Sequence, residues 1–259
     1  MTDRNTEESL KNSGAAAEKN AAGKAPGGSH QATLTVLPAS GDTKGVALVL
    51  HGGKAHSFEP VEARHLSPLR MIPFARHLHR AGKDRGLAVW SLRNSVRGWN
   101  GQAMSALQDA RWALQQISAR HPDVPVYLVG HSMGGLTAVC AADHPQVEAV
   151  VALAPWLGPE TPAGKIAGRK VLIVHGTGDR MTSPAQSLKF ARRAADAAAS
   201  VQYASLSGAG HFMVRRVRLW HALATGFVMK SFGERLGFVH PATRTLERLL
   251  PPSATQVNL

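Results

Sequence analysis

The chain has 259 residues, 44% of them hydrophobic and 18% charged, the balance of a folded chain of one or two domains. Its single cysteine, Cys140, excludes a disulfide framework and a Cys-based zinc site, and no apolar run is long enough to span a bilayer. The net charge is +13, and residues 1–31 contribute none of it, because Arg4, Lys11, Lys19 and Lys24 cancel Asp3, Glu7, Glu8 and Glu18. A basic surface attracts anions of many kinds and fixes no function. Aromatic residues make up 5% of the chain and none is interleaved with Arg and Lys, so no base-stacking platform is indicated and no specific nucleic-acid partner is expected.

Residues 1–31 are rich in Ala, Gly, Lys, Asn and Ser and hold one large apolar residue, a composition that reads as a disordered tail. They contain no apolar core of a signal peptide, so a cytoplasmic location is expected. From residue 32 apolar runs alternate with helical patterns. Residues 32–37 alternate in period two, as an edge strand does, and 46–50 form a continuous apolar run, as a buried parallel strand does. A helix opened by Pro73 and closed near Gly82 follows, then a strand over 87–92. The spacing of Leu107, Ala110, Leu114 and Ile117 predicts an amphipathic helix. Strands are expected over 125–129, 147–153, 170–175 and 201–206, the last of them, with a helix in 136–142 and another signalled by Ser183-Pro184. Met213, Val217, Trp220, Ala224 and Phe227 form the stripe of a final long helix. The expectation is one α/β domain over 32–250, a mostly parallel sheet with helices on both faces, and a loose C-terminal tail over 251–259.

In such sheets ligands bind beyond the carboxyl ends of the strands, and four loops there carry chemistry. Gly130-His131-Ser132-Met133-Gly134 directly follows a buried strand and opens a helix, the setting in which G-x-S-x-G exposes a nucleophilic serine. A serine hydroxyl needs a base, and His211, in Gly210-His211 after the 201–206 strand, is the candidate. The base needs a carboxylate to fix its tautomer. Asp179, in Gly178-Asp179 after the 170–175 strand, is placed for this. Asp109, Asp143 and Asp196 lie in or at helices. His51-Gly52-Gly53-Lys54 follows the 46–50 strand and is suited to supply one oxyanion amide, from Gly53 or alternatively Lys54, while Met133 supplies the other.

These motifs, in the order Ser132, Asp179, His211, resemble those of the α/β-hydrolase superfamily over residues 32–238. The resemblance implies the α/β-hydrolase fold and a serine hydrolase, with Ser132 as nucleophile, His211 as general base and acid, Asp179 as its orienter, and Gly53 with Met133 as the oxyanion hole. It implies an esterase or thioesterase of small to medium substrates that needs no cofactor. Amidase, peptidase or acyltransferase outcomes, or a ligand-binding protein with little turnover, remain open. Only sixteen residues, 154–169, stand where many relatives insert a helical cap, so a minimal lid is expected. Trp99 and Trp156 overhang the expected cleft, and either could wall a substrate pocket or simply pack beneath its loop, while Lys54, next to the oxyanion loop, would favour an anionic transition state or point outward. His77 and His79, or His51 and His56, lack the geometry and carboxylates of a metal site, and no metal is expected.

Overall fold

The computed structural model describes residues 31–259, so the expected N-terminal tail lies, but for its last residue, outside the described residues. Among the described residues eight strands form one sheet, in the order β1-β3-β2-β4-β5-β6-β7-β8. β1 (Thr33–Leu37) runs antiparallel to β3 (Leu87–Arg93). The others run parallel: β2 (Gly45–Leu50), β4 (Val126–His131), β5 (Val147–Leu153), β6 (Lys170–Gly176), β7 (Ser200–Leu206) and β8 (Gln256–Asn258).

β2 reads as an unbroken apolar run because both its faces are covered. Val46, Leu48 and Leu50 enter one core with α2 (Ser105–Arg120), α3 (Met133–Cys140) and α4 (Pro184–Ala194). Ala47 and Val49 enter the other with α1 (Leu66–Gly82), α5 (Val217–Leu236) and α6 (Pro241–Leu249). Ser183 caps α4 as its sequence signals, its Oγ accepting from the Gln186 amide. The segment after β5 carries only a 3-10 turn, Ala163–Ile166, in place of a cap.

Three expectations need correction. α1 begins at Leu66, and Pro73 lies inside it. The proline removes one hydrogen bond, but Met71, Phe74, Ala75 and Leu78 straddle it on one buried face, and burial of that face carries the helix through. In the stripe assigned to the last long helix, Met213 precedes α5 at φ 58°, and Val217 is 47% exposed. The stretch 251–259, expected to be loose, holds β8, and the short α6 precedes it. β8 exists because β7 would otherwise present unpaired backbone groups at the sheet edge. The Tyr203 amide donates to Thr255 O (2.9 Å), the Leu259 amide to Ser205 O (2.8 Å) and the Ser207 amide to Leu259 O (2.7 Å).

Deleting residues 253–259 removes these bonds. At roughly 1 kcal/mol for each backbone bond, the deletion is expected to cost about 3 kcal/mol and lower the urea midpoint. An unchanged midpoint would show that β8 contributes nothing to the folded state.

Candidate active site

The loops beyond the carboxyl ends of β2, β4, β6 and β7 converge. The turn from β4 into α3 is the tightest. Ser132 sits at φ 57°, ψ −119°, a conformation that L-residues rarely adopt. Its amide continues the sheet to Leu153 O (3.0 Å), while its carbonyl already accepts from Gly135 (2.9 Å) and Leu136 (3.2 Å) of the helix. A side chain at residue 130 would collide with the Gly134 backbone, and one at residue 134 with the carbonyls of Leu50 and His51. Both glycines of the motif are therefore required by backbone approach.

His211, in the loop after β7, lies with Nε2 3.1 Å from Ser132 Oγ and Nδ1 2.8 Å from Asp179 Oδ2. Asp179, in the loop after β6, is buried. If the Nδ1 proton is donated to Asp179, the Nε2 lone pair faces the serine hydroxyl. Oδ1 of Asp179 accepts from the amides of Met181 (2.8 Å) and Thr182 (2.9 Å). Oδ2 also lies 3.2 Å from His175 Nε2 and 2.9 Å from Thr182 Oγ1. Burial works against the charge of this carboxylate, but the donors His175, His211, Thr182 and Met181 outweigh it and hold the group well below the usual carboxylate range.

The sequence reading passed over three supporting residues. His175, on β6 four residues before Asp179, has Nδ1 2.9 Å from Ser187 Oγ, which leaves Nε2 to donate to the carboxylate. Thr182 Oγ1 lies 3.2 Å from both Ala154 O and His211 Nδ1, tying the β5 loop to the array. His131, within the elbow, donates from Nε2 to the His211 carbonyl (2.9 Å), and burial lowers its pKa to about 3. The signal was available: each lies at a strand's carboxyl end or within three residues of Asp179.

At the β2 loop the Lys54 amide donates to Arg97 O (2.8 Å). Among the described residues no hydrogen bond engages the amides of Gly53 or Met133, so Gly53 is the better placed of the two candidates. A Cβ at residue 53 would collide with the Met133 thioether and Arg97 O, which places this loop directly against the start of α3. His51 fixes the loop: its Nδ1 donates to Gly52 O (2.6 Å) and its Nε2 accepts from the Asn94 amide (3.1 Å). Burial lowers its pKa to about 4. Lys54 Nζ points to Glu59 (3.8 Å), which also pairs with Arg97 (2.7 Å). Trp99 is partly buried and packs against the core beneath its loop. Trp156 is 38% exposed and its backbone amide donates to Ser132 O (3.1 Å), so it stands beside the serine. Asp109 holds the loop after β3 through the Ser95 amide (2.8 Å) and hydroxyl (2.9 Å).

A family model described as serine aminopeptidase, S33, matches residues 93–171, a stretch that holds the elbow but neither Asp179 nor His211. Among curated proteins none matches the sequence. Among solved structures, a lidless serine hydrolase from Xanthomonas campestris is 16% identical, with a TM-score of 0.54 over 81% of this chain and 90% of that one. Est1E from Butyrivibrio proteoclasticus is 15% identical, with a TM-score of 0.59 over 79% and 96%. An esterase from Thermogutta terrifontis with propionate bound is 17% identical, with a TM-score of 0.58 over 82% and 92%. The class that the fold defines is the α/β-hydrolase fold, shared with these solved structures. Among the described residues no helix is long and apolar enough to cross a membrane.

The neutral His51 gives a signed pH dependence. Burial lowers its pKa in the fold to about 4, against 6.5 for a free imidazole, so the unfolded state binds more protons between those values. Stability is expected to fall as pH drops from about 6.5 to 4, by up to roughly 3 kcal/mol from this residue. Urea unfolding across that range is expected to give a shallower slope in His51→Gln than in the wild type. Equal slopes would refute this account of His51.

Proposed function

We propose that the protein is a serine hydrolase cleaving carboxylic esters or thioesters of small to medium size through an acyl-enzyme. The observation that carries this reading is the array Ser132 Oγ, His211 Nε2 (3.1 Å), His211 Nδ1, Asp179 Oδ2 (2.8 Å). Ser132 Oγ attacks the carbonyl carbon as its proton passes to His211 Nε2. The amides of Gly53 and Met133 receive the oxyanion, aided by the positive end of α3. The bond to the leaving oxygen or sulfur breaks as His211 returns the proton to it. Water then attacks the acyl-Ser132 ester, giving its proton to His211, and Ser132 leaves with that proton to regenerate the site. Asp179 stays ionised throughout and fixes the imidazole. The short 154–169 segment and the half-exposed Trp156 beside Ser132 favour an open cleft for modest substrates. Neighbours described as a thermophilic esterase and as a monoacylglycerol lipase support ester chemistry.

The description of the matched family model favours a second reading, a peptidase acting on a free amino terminus. Such a substrate needs a carboxylate to hold its ammonium group. Glu59, beside the oxyanion loop, is already ion-paired with Lys54 and Arg97, which favours the ester reading.

Hydrolysis of p-nitrophenyl esters from acetate upward is expected for the wild type and is expected to vanish in Ser132→Ala, with a fluorophosphonate labelling Ser132. Neither turnover nor labelling in the wild type would overturn the proposal, and faster cleavage of aminoacyl p-nitroanilides would move it to the peptidase. Asp179→Asn is expected to lower kcat by about 10⁴, as loss of the correct tautomer does in such triads. Gly53→Ala, which forces the loop off the elbow, is expected to lower kcat by roughly 10²–10³ with a smaller change in KM.

A further inference from the structure

An apolar groove of about 1000 Å³ runs beside the site, between α1, the loop after β7, α5 and the start of α6. Its wall on α1 is one helical stripe from Leu66 to Arg80, about 21 Å long by the helix rise. Leu66 is 72% exposed and Val214 79% exposed along its rim, far from the burial expected of such side chains. No aspartate or glutamate lines it; its charged residues are Arg70, Arg80 and Arg218. Among the described residues none of these three forms an ion pair or a side-chain hydrogen bond. Arg70 stacks on Phe212, 4.6 Å from the ring centre, and partial burial lowers its pKa. Phe212 in turn meets the His211 ring edge-on at 5.6 Å. In the groove's lining His221 stacks on Phe74 and contacts His77, and burial lowers its pKa to about 4, so it adds a neutral polar group.

We propose that this groove binds a single-chain anionic amphiphile, a long-chain carboxylate, with its alkyl chain along the α1 stripe and its head group on Arg70. The apolar lining matches the chain. The guanidinium, with its N–H donors unused and its hydration partly removed, matches a carboxylate, which it can bind with two parallel bonds. The groove does not contain Ser132 or His211, so this site stands apart from the catalytic array and does not rest on the hydrolase reading.

The test is calorimetric titration of the full chain carrying Ser132→Ala with laurate and with dodecanol, both below the concentration at which they aggregate. Laurate is expected to bind at least tenfold more tightly than dodecanol. Decanoate is expected to bind more weakly than laurate, by roughly fourfold for each lost methylene that is buried. Arg70→Gln is expected to weaken laurate tenfold or more and leave dodecanol unchanged. Ala222→Trp, which fills the groove, is expected to abolish both. Should that variant misfold, Val217→Asp, at an exposed rim position, is expected to do the same. Equal affinity for laurate and dodecanol would overturn the proposal. So would loss of laurate binding when Ser132 of the wild type is phosphonylated, since the ligand would then lie in the catalytic cleft. Binding to phosphatidylglycerol vesicles without binding of monomeric laurate would overturn it in favour of a membrane surface.

Discussion

The backbone-to-backbone approach of the β4–α3 turn to the end of β2 is the constraint on which the site depends. Gly134 lies against the carbonyls of Leu50 and His51, and Gly130 against Gly134 itself. That packing holds Ser132 at a positive φ which on its own costs of the order of 1–3 kcal/mol. The strain persists because both sides of the turn are pinned, by a fully buried strand before it and a buried helix after it. It has a consequence for the site: the Gly53 loop is packed against the Met133 thioether at the start of α3. The oxyanion amides proposed above would thus come from the same close approach that sets the Ser132 turn.

The second constraint is electrostatic. Asp179 is buried, and a buried carboxylate stays charged only if its lone pairs are met. Two imidazoles, two amides and a hydroxyl meet them. The histidines around it differ in their work because their partners differ. His211 has a serine hydroxyl at one nitrogen, whereas His175 has Ser187 at the equivalent position and is wholly enclosed. His51 and His131 face backbone groups and are kept neutral by burial. Thirteen histidines in one chain therefore give little indication of function by number, and much by neighbour.

This explains what the sequence made legible. Strands β2 to β6 were readable because burial of both faces writes a largely apolar run. Ser132, Asp179 and His211 were readable because each follows such a strand in a glycine-containing turn, and the structure brings all three together. What was missed depends on tertiary context. The start of α1 was masked by Pro73, since packing on a face the local sequence only half displays outweighs a helix breaker. β8 has three residues and no strand signal of its own; the open edge of β7 creates it. Trp99 and Trp156 looked equivalent as loop tryptophans, and only the structure shows that Trp99 packs against the core while the Trp156 amide bonds to Ser132 O.

The net charge of +13 gains meaning from the same context. About half of the described carboxylates have cationic or imidazole partners: Glu59, Glu62, Asp143, Glu148, Asp179, Glu234 and Glu247. With 30 Lys and Arg against 17 Asp and Glu, most surplus cations end in water, where an unpaired arginine is unremarkable. Arg70 differs, because it lies partly desolvated on an aromatic ring at the mouth of an apolar groove. An unpaired charge costs most where water is excluded, so the surplus that is neutral elsewhere becomes a binding preference there. The charge of the whole chain draws anions toward the surface in general. The groove selects, among them, one that also carries an apolar chain, and it does so one side chain away from His211.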